Sequence, residues 1–126
     1  MINDKYYIGF EGEVEINLVR GVQEENKSIF KIWNGYFETI LDNLLDNDVP
    51  KEGIIKEYFH QEGWYDESPW HVEDISLTIK QFRMFDNNKV RNSSSLKEVL
   101  PELVTDIIDF LEQAKVKEED VYIEYD

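Results

Sequence analysis

Residues 64–85 read WYDESPWHVEDISLTIKQFRMF, and the fold turns on how their second half is read. There Ile75, Leu77 and Ile79 alternate with Ser76, Thr78 and Lys80, the period-two pattern of a strand with one buried face. Phe82 and Met84 sit on the opposite parity, so a strand needs a bulge near Lys80 and Gln81 or burial on both faces. On this reading residues 75–84 form a core strand near the centre of a sheet. The first half, Trp64 to Asp74, is an acidic, aromatic loop.

Towards the N-terminus, Gly63 closes a short helix over about residues 51–61, with Ile54, Ile55, Tyr58 and Phe59 on one side. Before it, Ile29, Ile32, Trp33, Tyr36, Phe37, Ile40, Leu41, Leu44 and Leu45 recur at helical spacing and predict a long helix over about residues 28–46. Ser28 would be its N-cap, and Pro50 ends it by disfavouring a helical Val49. Gly21 to Lys27 reads as a polar turn. From Tyr6 to Val19 the apolar residues keep one parity, against Glu11, Glu13, Glu15 and Asn17 on the other. A hairpin with a three-residue turn over Glu11 to Glu13 pairs Phe10 with Val14 and Ile8 with Ile16. One long strand bent at Gly9 or Gly12 keeps the same parity.

Towards the C-terminus, Asp86-Asn87-Asn88-Lys89 is a turn signal, with Val90 and Arg91 as a short return strand. Ser93, Ser94 and Ser95 precede a second long helix, Ser95 to Glu98 fitting the capping box, and Pro101 either kinks that helix or splits it. Val121 to Asp126 is a terminal strand with Val121, Ile123 and Tyr125 on one face. Together these elements predict a single α+β domain: a mainly antiparallel sheet with two long amphipathic helices packed on one face.

Composition narrows the function. Of 126 residues 41% are apolar, too many for a disordered acidic polymer, and 28 acidic against 13 basic side chains leave a formal charge of -15. Such a chain repels nucleic acid and anionic lipid and attracts basic partners, although an acidic surface also serves solubility. With no cysteine, disulfides and thiolate zinc sites are excluded. No signal-like start and no long apolar window are present, which predicts a soluble, cytoplasmic protein.

Chemistry finds little to work with. His60 follows Glu57 at E-x-x-H spacing, but carboxylate-bridged metal sites need matching residues from other helices. His71, with Glu73 and Asp74 close by, could be an oriented general base in a hydrolase. No serine elbow, phosphate loop, zinc-protease motif or EF-hand loop accompanies it. The reading therefore assigns no catalytic residue, metal or cofactor.

Binding accounts for more. Trp64, Tyr65, Asp66, Glu67, Trp70, His71, Glu73 and Asp74 combine aromatic anchors with steering carboxylates, and Glu11, Glu13 and Glu15 supply a second acidic row. The plainer alternative has Trp64 and Trp70 capping the core and the glutamates serving solubility or a protected sheet edge. The alternative function is a small acidic regulatory or structural domain that binds a cellular protein by strand addition at the Val121 to Tyr125 edge.

An acidic, cysteine-free chain of this length with SPWHVEDISLTI at residues 68–79, a serine-capped helix and a closing VYIEYD resembles the small immunity proteins of bacterial polymorphic-toxin and contact-dependent growth inhibition systems. The likeness covers about half of the chain. It implies a non-enzymatic cytoplasmic protein that binds a basic toxin domain, often a nuclease, and blocks its active site or substrate surface.

Overall fold

In the computed structural model, which describes residues 1–21, 27–90 and 94–126, five strands form one mixed sheet. These are β1 (Ile2–Tyr6), β2 (Glu15–Arg20), β3 (Ser28–Trp33), β4 (Trp70–His71) and β5 (Val121–Tyr125), in the spatial order β1-β3-β2-β5-β4. β1 runs parallel to β3, and the other three pairings are antiparallel. The α-helices among the described residues are α1 (Asn34–Asp46), α2 (Gly53–His60), α3 (Ile75–Phe82) and α4 (Ser94–Val116). The α+β class stands. The sheet is mixed, and the two longer helices, of 13 and 23 residues, are accompanied by two of 8.

Register explains the core. Ile16 lies opposite Ile32, and Leu18 opposite both Phe30 and Ile123, so one face of the central strands is a continuous apolar sheet. Phe37, Ile40, Leu41 and Leu44 of α1 pack in the same buried cluster as Leu100, Leu103, Ile107 and Leu111 of α4. Each such burial is worth about 1.5–3 kcal/mol, and this apolar face holds the helices to the sheet. Pro101 lies within α4, which runs through it without a break.

Three expectations are overturned. The predicted central strand at residues 75–84 is helix α3: Ile75, Ile79 and Phe82 fall at i, i+4 and i+7, and the parity switch was the helical period itself. Asp74 starts that helix, its Oδ1 accepting the Leu77 N–H at 2.9 Å. The long helix over 28–46 divides into β3 and α1, since isoleucine and aromatic residues crowded over 29–33 fit a pleated surface and Asn34 begins the helix. Ser28 opens a strand instead of capping a helix.

The third concerns the first hairpin. β1 and β2 do not pair, because β3 lies between them; the loop 7–14 steps over one strand, a distance of about 10 Å. Smaller differences follow. Gln61, with φ of 57°, ends α2 two residues before Gly63, which opens a short 3-10 turn, Gly63–Tyr65. Val90 follows another such turn, Asn87–Lys89, instead of forming a return strand, and Ser95 lies inside α4. The predicted turn at residues 22–26, Arg91 and Ser93 fall outside the described residues.

Three tyrosine hydroxyls clamp the layers together. Tyr6 donates to Asp106 Oδ2 and Tyr58 to Asp42 Oδ1, each at 2.6 Å, and Tyr65 donates to Glu38. Burial, then the bond to the carboxylate, raises the pKa of each phenol far above its ordinary value near 10. A raised folded-state pKa stabilises the protein below the unfolded value, and that contribution declines as pH climbs past about 10. Urea midpoints should therefore hold up to about pH 10 and fall progressively above it, and Tyr58→Phe should flatten the fall. In the same assay Asp74→Ala should lower stability by about 1 kcal/mol through loss of the α3 cap.

Candidate functional site

The strand directions gather the ends of β1, β3 and β5 and the starts of β2 and β4 at one end of the sheet. Backbone bonds close this end: Glu15 and Asp126 exchange N–H to O bonds of 3.0 and 3.1 Å, Asn34 N donates to Val14 O, and Tyr125 N donates to Ser68 Oγ at 3.0 Å. The loop 7–14 and the segment 63–69 therefore come to the same end.

Of the aromatic-acidic stretch, Trp64 belongs wholly to the core: it is 0% exposed and edge-packed on Phe37 at 5.9 Å and on Trp70 at 5.6 Å. It cannot act as a surface anchor, because β4 and α1 close over it. Trp70 is half-buried, while the Tyr65 ring packs at 5.0 Å against Tyr125 with the planes tilted by 58°, its hydroxyl held by Glu38. Asp66 and Glu67 are exposed, their backbone N–H groups both held by Gly63 O.

The remainder of the stretch points elsewhere. β4 runs antiparallel to β5, and Val72 N donates to Val121 O, which carries His71, Glu73 and Asp74 towards the opposite end of the sheet. His71 is exposed, with its ring 5.0 Å from Tyr122 and Nε2 3.3 Å from Asp120 Oδ1. The Asp74 carboxylate is already engaged in capping α3.

The glutamate row does not form as a row. Glu15 is in β2 and paired with Lys31 at 2.9 Å, whose ammonium pKa that contact raises. Glu11 and Glu13 lie in the loop, which turns with Gly9 at φ 98° and Gly12 at φ 92°, angles that favour glycine. Both oxygens of Glu11 accept the Gly9 N–H, and that bond, followed by one from its own N–H, holds its pKa below the usual carboxylate range.

Beside these carboxylates stands an aromatic block that the sequence reading assigned to a hairpin and a helix. Phe10 stacks on Trp33 with centroids 4.1 Å apart and planes within 6°. Tyr36 meets both rings edge-on, at 5.4 and 5.0 Å. Glu13 Oε1 accepts the Trp33 Nε1–H at 3.3 Å, fixing the indole to the acidic loop. All three rings are half-buried, while Ile8 and Val14 beside them are 64% and 40% exposed. The signal that could have found the block is the Gly9-Phe10-Glu11-Gly12 run, which places an aromatic residue between two turn-forming glycines.

No protein-family model, curated protein or solved structure matches the chain. Among the described residues no group of three or more His, Asp or Glu side chains is placed to hold a metal ion. His71 is exposed on β4 and is not among the residues that line the α3–α4 groove or the hollow by β1 and α4. Nor is the Val121–Tyr125 edge open for strand addition, because β5 lies between β2 and β4. No helix among the described residues is long and apolar enough to cross a membrane.

Trp33 lies over Gly35 so closely that a β-carbon there would fall well inside van der Waals contact of the indole. Gly35→Ala should tilt Trp33 off Phe10 and alter the near-ultraviolet circular dichroism, leaving the far-ultraviolet spectrum and the burial of Trp64 unchanged. An unaltered near-ultraviolet spectrum would show that the ring accommodates the methyl in place.

Proposed function

We propose that this chain is an immunity-type binding module that neutralises a basic toxin domain, with a nuclease as the expected class, by covering its active site or substrate surface. It acts by binding, in the cytoplasm, without catalysis or a cofactor. The observation that carries this reading is the Phe10–Trp33–Tyr36 block, edged by exposed Ile8 and Val14 and by Glu11 and Glu13 in the same loop. Interfaces draw most of their affinity from a few desolvated aromatic anchors, and carboxylates around them add on-rate and partner choice. Glu67 and Asp66 extend the acidic surface at this end, and a net charge of -15 steers cationic surfaces towards it. The resemblance of residues 68–79 and 121–126 to small immunity proteins supports the same class.

Supported in this way, the anchor set shifts from the Trp64 neighbourhood to Phe10, Trp33 and Tyr36, with Tyr65 and Trp70 behind the rim. Co-expression with the basic C-terminal domain of a large exported protein encoded immediately upstream should yield an equimolar complex. Its association rate should fall steeply with salt, and Trp33→Ala should weaken binding by about 2 kcal/mol, roughly thirtyfold. A salt-independent association rate, with Trp33→Ala binding as tightly as the parent, would contradict the reading.

A further inference from the structure

A groove of about 530 Å³ runs between α3 and α4, and its charge is opposite to that of the molecule. Ser76, Ile79, Lys80 and Arg83 follow i, i+3, i+4 and i+7 and form its α3 wall, while Glu112, Lys115 and Val116 supply the α4 wall. Arg83 is taken up by Glu112. Lys80 and Lys115 make no ion pair among the described residues, so two exposed ammonium groups line one groove unpaired, the Glu112 carboxylate there being held by Arg83. Each lies in the last turn of its helix, where it offsets the helix dipole. That role does not require the two to share a groove, and like charges brought together repel. Beside them Val116 is 82% exposed, an apolar side chain with no cover of its own.

We infer that this groove binds a short acidic segment of a partner protein, with carboxylates on Lys80 and Lys115 and an apolar side chain against Val116. Charge complementarity identifies the occupant. At physiological ionic strength the Debye length is about 8 Å, so the local cations, not the distant carboxylates, set the potential in the groove. From Ser76 to Arg83 the wall is about 10 Å long, which matches about three residues of extended chain. A nucleic acid is a poorer fit, since a longer polyanion would run onto the acidic remainder of the surface. The groove lies at the end of α4 that leads into the start of β5, opposite to the Trp33 end of the sheet. Binding there is therefore independent of the toxin-facing surface, and either can fail without the other.

The test uses the full chain and a short fluorescent peptide of glutamate and leucine, followed by anisotropy at physiological ionic strength. Saturable binding is expected, weakened about tenfold or more by Lys80→Glu and by Lys115→Glu, and also weakened by Val116→Asp. Lys56→Glu, an exposed change on α2, should leave it unaltered, and the matching glutamine–leucine peptide should not bind. All four positions are exposed, so the variants keep their fold. The inference is overturned by an absence of saturable binding up to millimolar peptide, by lysine variants that bind like the parent, or by equal binding of the glutamine peptide. It is overturned in favour of nucleic acid if a single-stranded oligonucleotide displaces the peptide at lower concentration.

Discussion

The two-sided pairing of β5 is the constraint on which the rest of the structure depends. The chain's last strand runs between β2 and β4, bonded to Glu15–Arg20 on one side and to Trp70–His71 on the other. Without it β2 would lose half of its ladder, and a buried strand with unpaired amides is costly. A buried ion pair fixes where β5 begins: Arg20 donates to Glu119 at 2.7 Å and to Gln113 at 3.1 Å, with Phe110 under the guanidinium at 5.2 Å. Such a pair adds modest net stability, but removing one partner strands a charge in the interior. Its position sets the register of β5, and so places Tyr125 beside Tyr65 and Asp126 beside Glu15 at the far end.

Two tryptophans show how position divides one residue type between the core and the surface. Trp64, on the turn beneath β4, is fully enclosed by Phe37 and Trp70 and contributes as core. Trp33, the last residue of β3, is left half-covered at the sheet end, with Gly35 on one side and Phe10 on the other. A surface that keeps three aromatic rings half in water gives up some burial energy. Under the proposed function it gains an anchor set already ordered before a partner arrives, which lowers the entropic cost of association.

Much of the architecture was legible in the chain, with failures of identifiable kinds. The helical stripes of α2 and α4 and the alternation of β5 follow from local periodicity, and they stand. Ile75 to Phe82 failed because Ile75, Leu77 and Ile79 satisfy period two, while the helical period appears only once Phe82 and the Asp74 cap are weighed with them. Trp33 failed for the opposite reason, since its spacing to Tyr36 and Phe37 is helical although the residues before it form a strand. The insertion of β3 between β1 and β2 is a non-local fact that no local pattern encodes. For the same reason Glu11 and Glu13 are legible as an acidic pair while the aromatic block beside them is not, because Phe10 and Trp33 meet only across that topology. His71 was separable from Tyr65 only through the β4 register.

The charge distribution gives the account its coherence. Cations near the sheet are mostly engaged, Lys5 with Glu102, Arg20 with Glu119 and Lys31 with Glu15, so carboxylates dominate the exposed end while the α3–α4 groove keeps uncompensated lysines. If the proposed function holds, hydrogen exchange on the chain alone and with the proposed basic toxin domain tests the central claim most directly. The account predicts new protection over residues 8–14 and 33–36, with 71–74 unchanged. Protection confined to 71–74, or absent from the Phe10–Trp33 surface, would contradict it.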